Sequence, residues 1–198
     1  MGLRLSDNGS VNPSEPSDES LMQAVRDTGS AAAFSELVER YRLPLLNHFA
    51  RLGVQADGED LAQRTFVNVY RAREKYAVTA KFRTYLFAVA RNVWLDELRW
   101  RRRKQSPLTS LADLAAEPED AAAAAAGRRA DAACDAERAL ACLGDSLRET
   151  VTLAFYDGFT YAEIGEMLGI PEGTVKSRIF NAMAKMRDFL KRSGEDDF

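Results

Sequence analysis

Apolar residues recur every third or fourth position over two long stretches of this chain, residues 18–104 and 131–192, while β-branched runs stay short. Four helices are predicted in the first stretch, over about 19–28, 31–52, 58–73 and 82–103, with Pro44 expected to bend the second. Within 58–73, Ala62, Phe66 and Val69 share one arc and are predicted core, whereas Asp60, Gln63, Arg64 and Val67 share another. The helix over 82–103 carries two apolar stripes, one of Phe82, Leu86, Val89 and Val93 and one of Phe87, Trp94 and Leu98. A helix apolar on two sides is either enclosed by its neighbours or keeps one side for a partner.

The second stretch predicts four more helices, the last pair joined tightly. Thr160 and Glu163 have the spacing of a capping box, Gly169 is placed to stop a helix, and Pro171 restarts the chain as a first-turn residue. This reads as a helix-turn-helix. In its second helix Val175, Ile179, Ala182, Met186 and Phe189 stack on the core side, and Lys176, Ser177, Phe180 and Asn181 point away. Lysine meets phosphate or guanine, serine and asparagine bond base edges, and an outward phenylalanine meets a thymine methyl, so that face can read duplex DNA. The plainer alternative is a helical hairpin with a wet polar face, which leaves an outward Phe180 unexplained.

Residues 1–17 have the Pro, Ser and Asp content of a mobile tail, and 105–130 combine Pro107, Pro118, acids and an alanine run, the composition of a linker with transient helix. The expected fold class is therefore all-α: two small helical domains, 18–104 and 131–192, joined by a flexible linker. Such a linker would leave the distance and orientation between the two domains open.

Composition sharpens the reading. Hydrophobic residues make up 46% of the chain, enough for packed cores. No apolar run is long enough for a membrane span and the N-terminus has no apolar signal core, so no membrane insertion and a cytoplasmic location are expected. Cys134 and Cys142 lack the spacing and neighbours of a metal site and read as semi-buried thiols, and the sole histidine, His48, reads as packing or surface. With no phosphate-cradling glycine loop, no histidine-centred triad and no metal ligand set, neither an enzyme nor a cofactor or metal is expected. Net charge is −3, unpromising for a nucleic-acid binder, yet residues 81–104 carry eight Lys and Arg and residues 171–192 carry six. Two basic islands on an acidic chain suggest two DNA contacts. In the first island aromatic and basic residues interleave, a combination suited to single strands, where rings stack bases and cations follow the backbone.

The run Gly169-Ile-Pro-Glu-Gly-Thr-Val-Lys-Ser-Arg178 resembles the promoter-reading fourth domain of bacterial sigma factors, above all the extracytoplasmic-function group. Upstream, Asp60-Leu61 with Gln63, and Phe82-Arg-Thr-Tyr-Leu-Phe-Ala-Val-Ala-Arg-Asn92 followed by a basic run, resemble that family's second domain in the family's order. Arg64 stands where the family usually has an acid, Tyr85 where tryptophan is common, and Asn181 where arginine is frequent.

The resemblance implies a transcription initiation factor that binds core RNA polymerase and directs it to promoters. Its polymerase-docking residues would be Asp60, Leu61, Gln63 and Val67, against the β′ clamp, with a second contact on the β flap. Minus-ten DNA, captured as an opened non-template strand, would meet Tyr76, Lys81, Arg83, Tyr85, Arg91, Asn92, Arg99, Arg102 and Arg103. Minus-thirty-five duplex would meet Thr174, Lys176, Ser177, Arg178, Phe180 and Asn181. An anti-sigma factor is the further partner implied. The linker acids Asp113, Glu117, Glu119 and Asp120 would lie along the path of nascent RNA. The rival is a stand-alone helix-turn-helix regulator, which leaves residues 57–104 without a role.

Overall fold

The computed structural model describes residues 16–54, 56–78, 80–105 and 132–195, and every regular element in them is helical. Helices α1 (Asp18–Thr28), α2 (Ala31–Arg51), α3 (Gly58–Arg71) and α4 (Phe82–Gln105) form the N-terminal unit. The C-terminal unit consists of α5 (Ala132–Ala141), α6 (Asp145–Val151), α7 (Tyr161–Leu168) and α8 (Glu172–Glu195). The expected tail, save Pro16 and Ser17, and the expected linker with its four acids, save Gln105, lie outside the described residues.

Local chemistry places the helix ends. The Ser17 hydroxyl accepts from the Ser20 N–H at 3.2 Å to start α1. Gly29 ends it at φ 66°, a left-handed conformation that costs glycine nothing, and Ser30 starts α2 by accepting from the Ala33 N–H at 3.2 Å. The Asp18 carboxylate then ties the pair together, accepting from Arg40 at 2.8 Å and from the Tyr41 hydroxyl. Helix α2 continues through Pro44. Helix α3 stops at Arg71, short of the expected 73, because Arg73–Lys75 tighten into a 3-10 turn.

Of the stripes expected to be core, Ala62, Phe66 and Val69 of α3 and Phe82, Leu86 and Val93 of α4 are buried. So are Phe87 and Trp94 on the second stripe of α4. Each large apolar side chain so buried contributes roughly 1.5–3 kcal/mol relative to exposure. The second stripe is enclosed because α4 packs on α1, α2 and α3 with one part of its surface and on α7 with another. Phe87 meets Phe159 of the C-terminal unit with ring centroids 5.0 Å apart. One continuous apolar cluster accordingly runs from Phe49, Leu61 and Leu86 to Phe159, Ile164, Val175 and Ile179. A small second cluster of Leu140, Leu143, Val151 and Ala182 holds α5 and α6 to α8.

This overturns the expectation that the chain leaves the placement of the two units open. Helical periodicity revealed that α4 had a second apolar side, but the neighbour covering it lies more than 50 residues downstream.

The helix-turn-helix forms as its residues predict. Thr160 Oγ1 accepts from the Glu163 N–H at 3.3 Å while the Glu163 carboxylate accepts from the Thr160 N–H at 2.9 Å. Gly169 terminates α7 at φ 68°. At Gly165 a Cβ would lie 2.9 Å from the Ile170 carbonyl oxygen, so the missing side chain is what lets the turn close on α7. Pro171 falls one residue before α8, at the capping position, with its carbonyl accepting from the N–H groups of Thr174 and Val175 at 2.8 and 3.2 Å.

Candidate nucleic-acid interfaces and docking groove

Helix α8 divides its faces sharply. Val175, Ile179 and Ala182 are buried and Met186 and Phe189 half-buried, whereas Lys176, Ser177, Phe180 and Asn181 are exposed, Phe180 at 75%. Glu172 holds the Lys176 ammonium at 2.8 Å and raises its pKa, first by hydrogen bonding and then by charge. The Ser177 hydroxyl donates to the Thr174 carbonyl at 2.9 Å, which leaves its oxygen free to accept. Thr174 is half-buried at the start of this face. Arg178 is half-buried too, unlike the four exposed residues, and its charge opposes the rise of the Glu149 pKa.

Between α2 and α3 opens a groove of about 650 Å³. Phe34, Val38, Ala62 and Phe66 make it apolar, and Arg42, Glu59, Asp60, Gln63 and Val67 also line it. Asp60, Gln63 and Val67 are exposed as the amphipathic pattern predicts. Leu61 is fully buried, so its contribution is to fix α3 on the core and not to touch a partner. Arg64 pairs with Glu97 at 3.2 Å and with Asp60 at 3.6 Å, partly balancing the carboxylates on this side.

The third group of predicted residues follows α4 and the loop before it. Asn92, Arg99, Arg102 and Arg103 are exposed, with Arg99 paired to Asp96 at 2.9 Å, and Tyr85 is half-buried. Tyr76 departs from its expected place on the loop surface: only 4% exposed, it packs its ring against Phe82 and Tyr85. Burial, with Glu19 and Tyr85 nearby, pushes its pKa up to about 12, and its hydroxyl has no hydrogen-bond partner. It shapes the loop from beneath.

Four cations of the same group reach the C-terminal unit. Lys81 pairs with Glu163 at 3.3 Å and Arg102 with Asp145 at 3.0 Å. The Arg83 guanidinium lies 4.3 Å from the Phe159 ring centroid and donates to the Asp157 carbonyl. Arg91 Nε lies 2.9 Å from Glu149 Oε1, an ion pair whose angle is poor for a hydrogen bond, and neither atom has another hydrogen-bond partner. Burial raises the Glu149 pKa against the opposing charges of Arg91, His48 and Arg178.

Three charged residues at this junction, Asp157, Arg148 and Glu149, escaped the sequence reading, whereas His48, read as packing or surface, is packing. His48 is buried, with its Nδ1 2.7 Å from the equally buried Asp157 Oδ2. Arg148 donates to the carbonyls of Leu140, Ala141 and Leu143 at 3.2, 2.7 and 2.9 Å, closing the end of α5, and burial lowers its pKa. Glu149 beside it is buried as well. The available signal was an adjacent Arg-Glu pair running into the apolar segment 150–155, since charges seldom enter such a segment unpaired.

Comparison with known proteins accounts for both halves. The family model described as Sigma-70 region 2 matches residues 37–104, and that described as Sigma-70, region 4 matches residues 139–188. The chain is 33% identical over 187 residues to the ECF RNA polymerase sigma factor SigE of Mycolicibacterium smegmatis, covering 92% of this chain and 72% of that one. It is 31% identical over 185 residues to the ECF RNA polymerase sigma factor SigL of Mycobacterium tuberculosis, covering 93% and 97%. Its fold is similar to that of CnrH, solved in complex with the cytosolic domain of CnrY, with a TM-score of 0.66, 24% identity and coverage of 88% and 97%. Among the described residues no helix is long and apolar enough to cross a membrane.

Proposed function

This chain belongs to the extracytoplasmic-function RNA polymerase sigma factors of the sigma-70 family, and from that premise we propose how its surfaces divide the work of promoter recognition. A sigma factor is a non-catalytic transcription initiation factor that binds RNA polymerase, so the stand-alone regulator is not favoured. Residues 18–104 serve as the core-binding and minus-ten unit and 131–192 as the minus-thirty-five unit.

The groove between α2 and α3 is the seat for the β′ clamp. Its apolar floor offers area to bury, and Asp60 and Gln63 at its side supply the polar contacts that orient a docked helix. The β flap is the second polymerase contact. Helix α8 reads the minus-thirty-five duplex through Lys176, Ser177, Phe180 and Asn181. The observation that carries this is Phe180, 75% exposed among three polar residues on a helix whose opposite side is buried. An aromatic ring left in water without a partner is a poor surface, and against a thymine methyl it has a use. Around α4, Lys81, Arg83, Arg91, Asn92, Arg99, Arg102 and Arg103 hold the backbone of the opened minus-ten strand. Capture of unstacked bases offsets the few kcal/mol that unstacking costs.

The anti-sigma partner is supported by the solved relatives. CnrH was captured with the cytosolic domain of CnrY, and the sigma factor RpoE of Bartonella quintana with the anti-sigma factor NepR. An inhibitor of this chain would cover the same surfaces that polymerase needs.

The test is reconstitution. Purified chain added to core polymerase should yield a transcript from a template carrying both promoter elements and none from a template lacking them. Sequence-specific, strand-opening binding by the chain without polymerase would instead favour a stand-alone regulator.

A further inference from the structure

We propose that α1 positions the loop leading into the minus-ten helix: Glu19 and Arg26 pin the two ends of that loop and so fix the backbone that a captured base meets. The proposal rests on the minus-ten role given above to α4 and the loop before it. Helix α1 precedes the residues 37–104 that the region 2 model matches, and none of the residues expected to meet DNA or polymerase lies in it. Two of its side chains nevertheless reach across 50 and 63 positions of sequence to the ends of the loop. Arg26 Nη1 donates to the Tyr76 carbonyl at 3.2 Å, and the Glu19 carboxylate accepts from the Phe82 N–H at 2.9 Å.

Each anchor has a physical reason to hold. The Phe82 N–H is one of the first-turn amides that a helix cannot satisfy internally, and a carboxylate suits the positive end of the helix dipole. Arg26 is itself held, because Asp27 accepts from its Nε at 2.7 Å and from its Nη2 at 3.4 Å. Between the anchors the buried Tyr76 ring packs on Phe82 and Tyr85, and Phe82 packs in turn on Tyr41 of α2. Glu19 and Arg26 stand about two turns apart along one side of α1, so a single helix carries both. The loop needs such support. From Ala77 to Lys81 its residues are Ala, Val, Thr, Ala and Lys, and only Thr79 and Lys81 have side chains able to hydrogen-bond. Polar recognition of a base there falls mainly to backbone N–H and C=O groups, whose positions the anchors set. Holding the loop in place before DNA arrives removes the cost of ordering it on binding.

The test uses the full chain on core polymerase, probed with minus-ten non-template oligonucleotides that carry each base in turn at every position. Glu19→Leu and Arg26→Met each remove one anchor and keep the stem of the side chain. Each should lower affinity for the preferred oligonucleotide by about tenfold and flatten the preference among bases. Binding to core polymerase, binding to minus-thirty-five duplex and the melting midpoint should stay as in wild type. Glu19→Gln keeps an oxygen that accepts from the Phe82 N–H, and it should restore most of the affinity and the preference. Unchanged affinity and preference in either anchor variant would overturn the proposal. So would a loss shared equally by every base and by core binding, the mark of a merely structural role. Arg26, whose side chain is partly exposed, carries the test where Glu19→Leu does not fold. A wild type with no preference among minus-ten bases would instead overturn the minus-ten role itself, and the positioning role with it.

Discussion

The candidate nucleic-acid faces of α4 and α8 stand in different states. On α8, Lys176, Ser177, Phe180 and Asn181 all face solvent, and Lys176 is paired within its own helix, to Glu172. On α4 and the residue before its start, Lys81, Arg83, Arg91 and Arg102 are engaged by Glu163, Asp157, Glu149 and Asp145 of the other unit. The cause is how many sides of each helix are apolar. Helix α8 satisfies one apolar side within its own unit, whereas α4 has a second one that Phe159 covers, bringing acids against the cations beside it. Helical amphipathicity thus decides whether a basic face is left open to solvent or is covered.

The contrast is broken most directly at Phe87, which touches both Phe159 and His48. Phe87→Ala should cost about 3–5 kcal/mol and turn a single denaturant transition into two, one for each unit. A retained single transition would mean the charged contacts alone couple the units. On the open face, Phe180→Ala should weaken binding of the polymerase complex to a minus-thirty-five-dependent promoter by about 1–3 kcal/mol with the fold intact. Equal transcription from wild type and variant would remove Phe180 from the readers.

Asp60→Arg tests the groove, which neither DNA-reading face includes. It should reduce binding to core polymerase by about tenfold, the scale of a single interface residue of moderate importance, while helicity is unchanged. A competition assay against another sigma factor reads it, and an unaltered competition curve would rule out docking there.

The smallest effect is a pH dependence at the closed junction. Burial raises the Glu149 pKa, so the folded protein holds this proton more tightly than the unfolded chain does. Its contribution to stability is fully present below the ordinary glutamate value and is lost as pH rises through the raised one. Denaturation midpoints should therefore fall across that window, less so in Glu149→Gln. Parallel pH profiles for the two proteins would assign the dependence to other groups.

Much of this was legible along the chain because the interactions concerned are short in sequence. The Thr160–Glu163 cap, the glycine stop at 169 and the core arc of Ala62, Phe66 and Val69 arise from residues close together in the chain. The outward set on α8 was equally legible, since one helix fixes which side chains share a face. Tyr76 and Leu61 were harder. Their positions in the pattern matched residues that contact partners, but burial depends on what packs above them, and both turned out to be supports.

Periodicity and residue chemistry, then, determined by themselves that this chain is all-helical, that it carries a helix-turn-helix reader, and that its basic charge is gathered in two places. Local backbone preferences and side-chain spacing suffice for that, because they act within a few turns of helix. Only the tertiary structure decided that the two units share one apolar core, that His48 and Asp157, separated by 109 positions, form a buried pair, and that four of the six expected minus-ten cations are engaged by the C-terminal unit. A surplus apolar stripe announces that a partner exists. Which partner covers it is settled by shape and charge complementarity between segments far apart in the chain, and no local pattern encodes that.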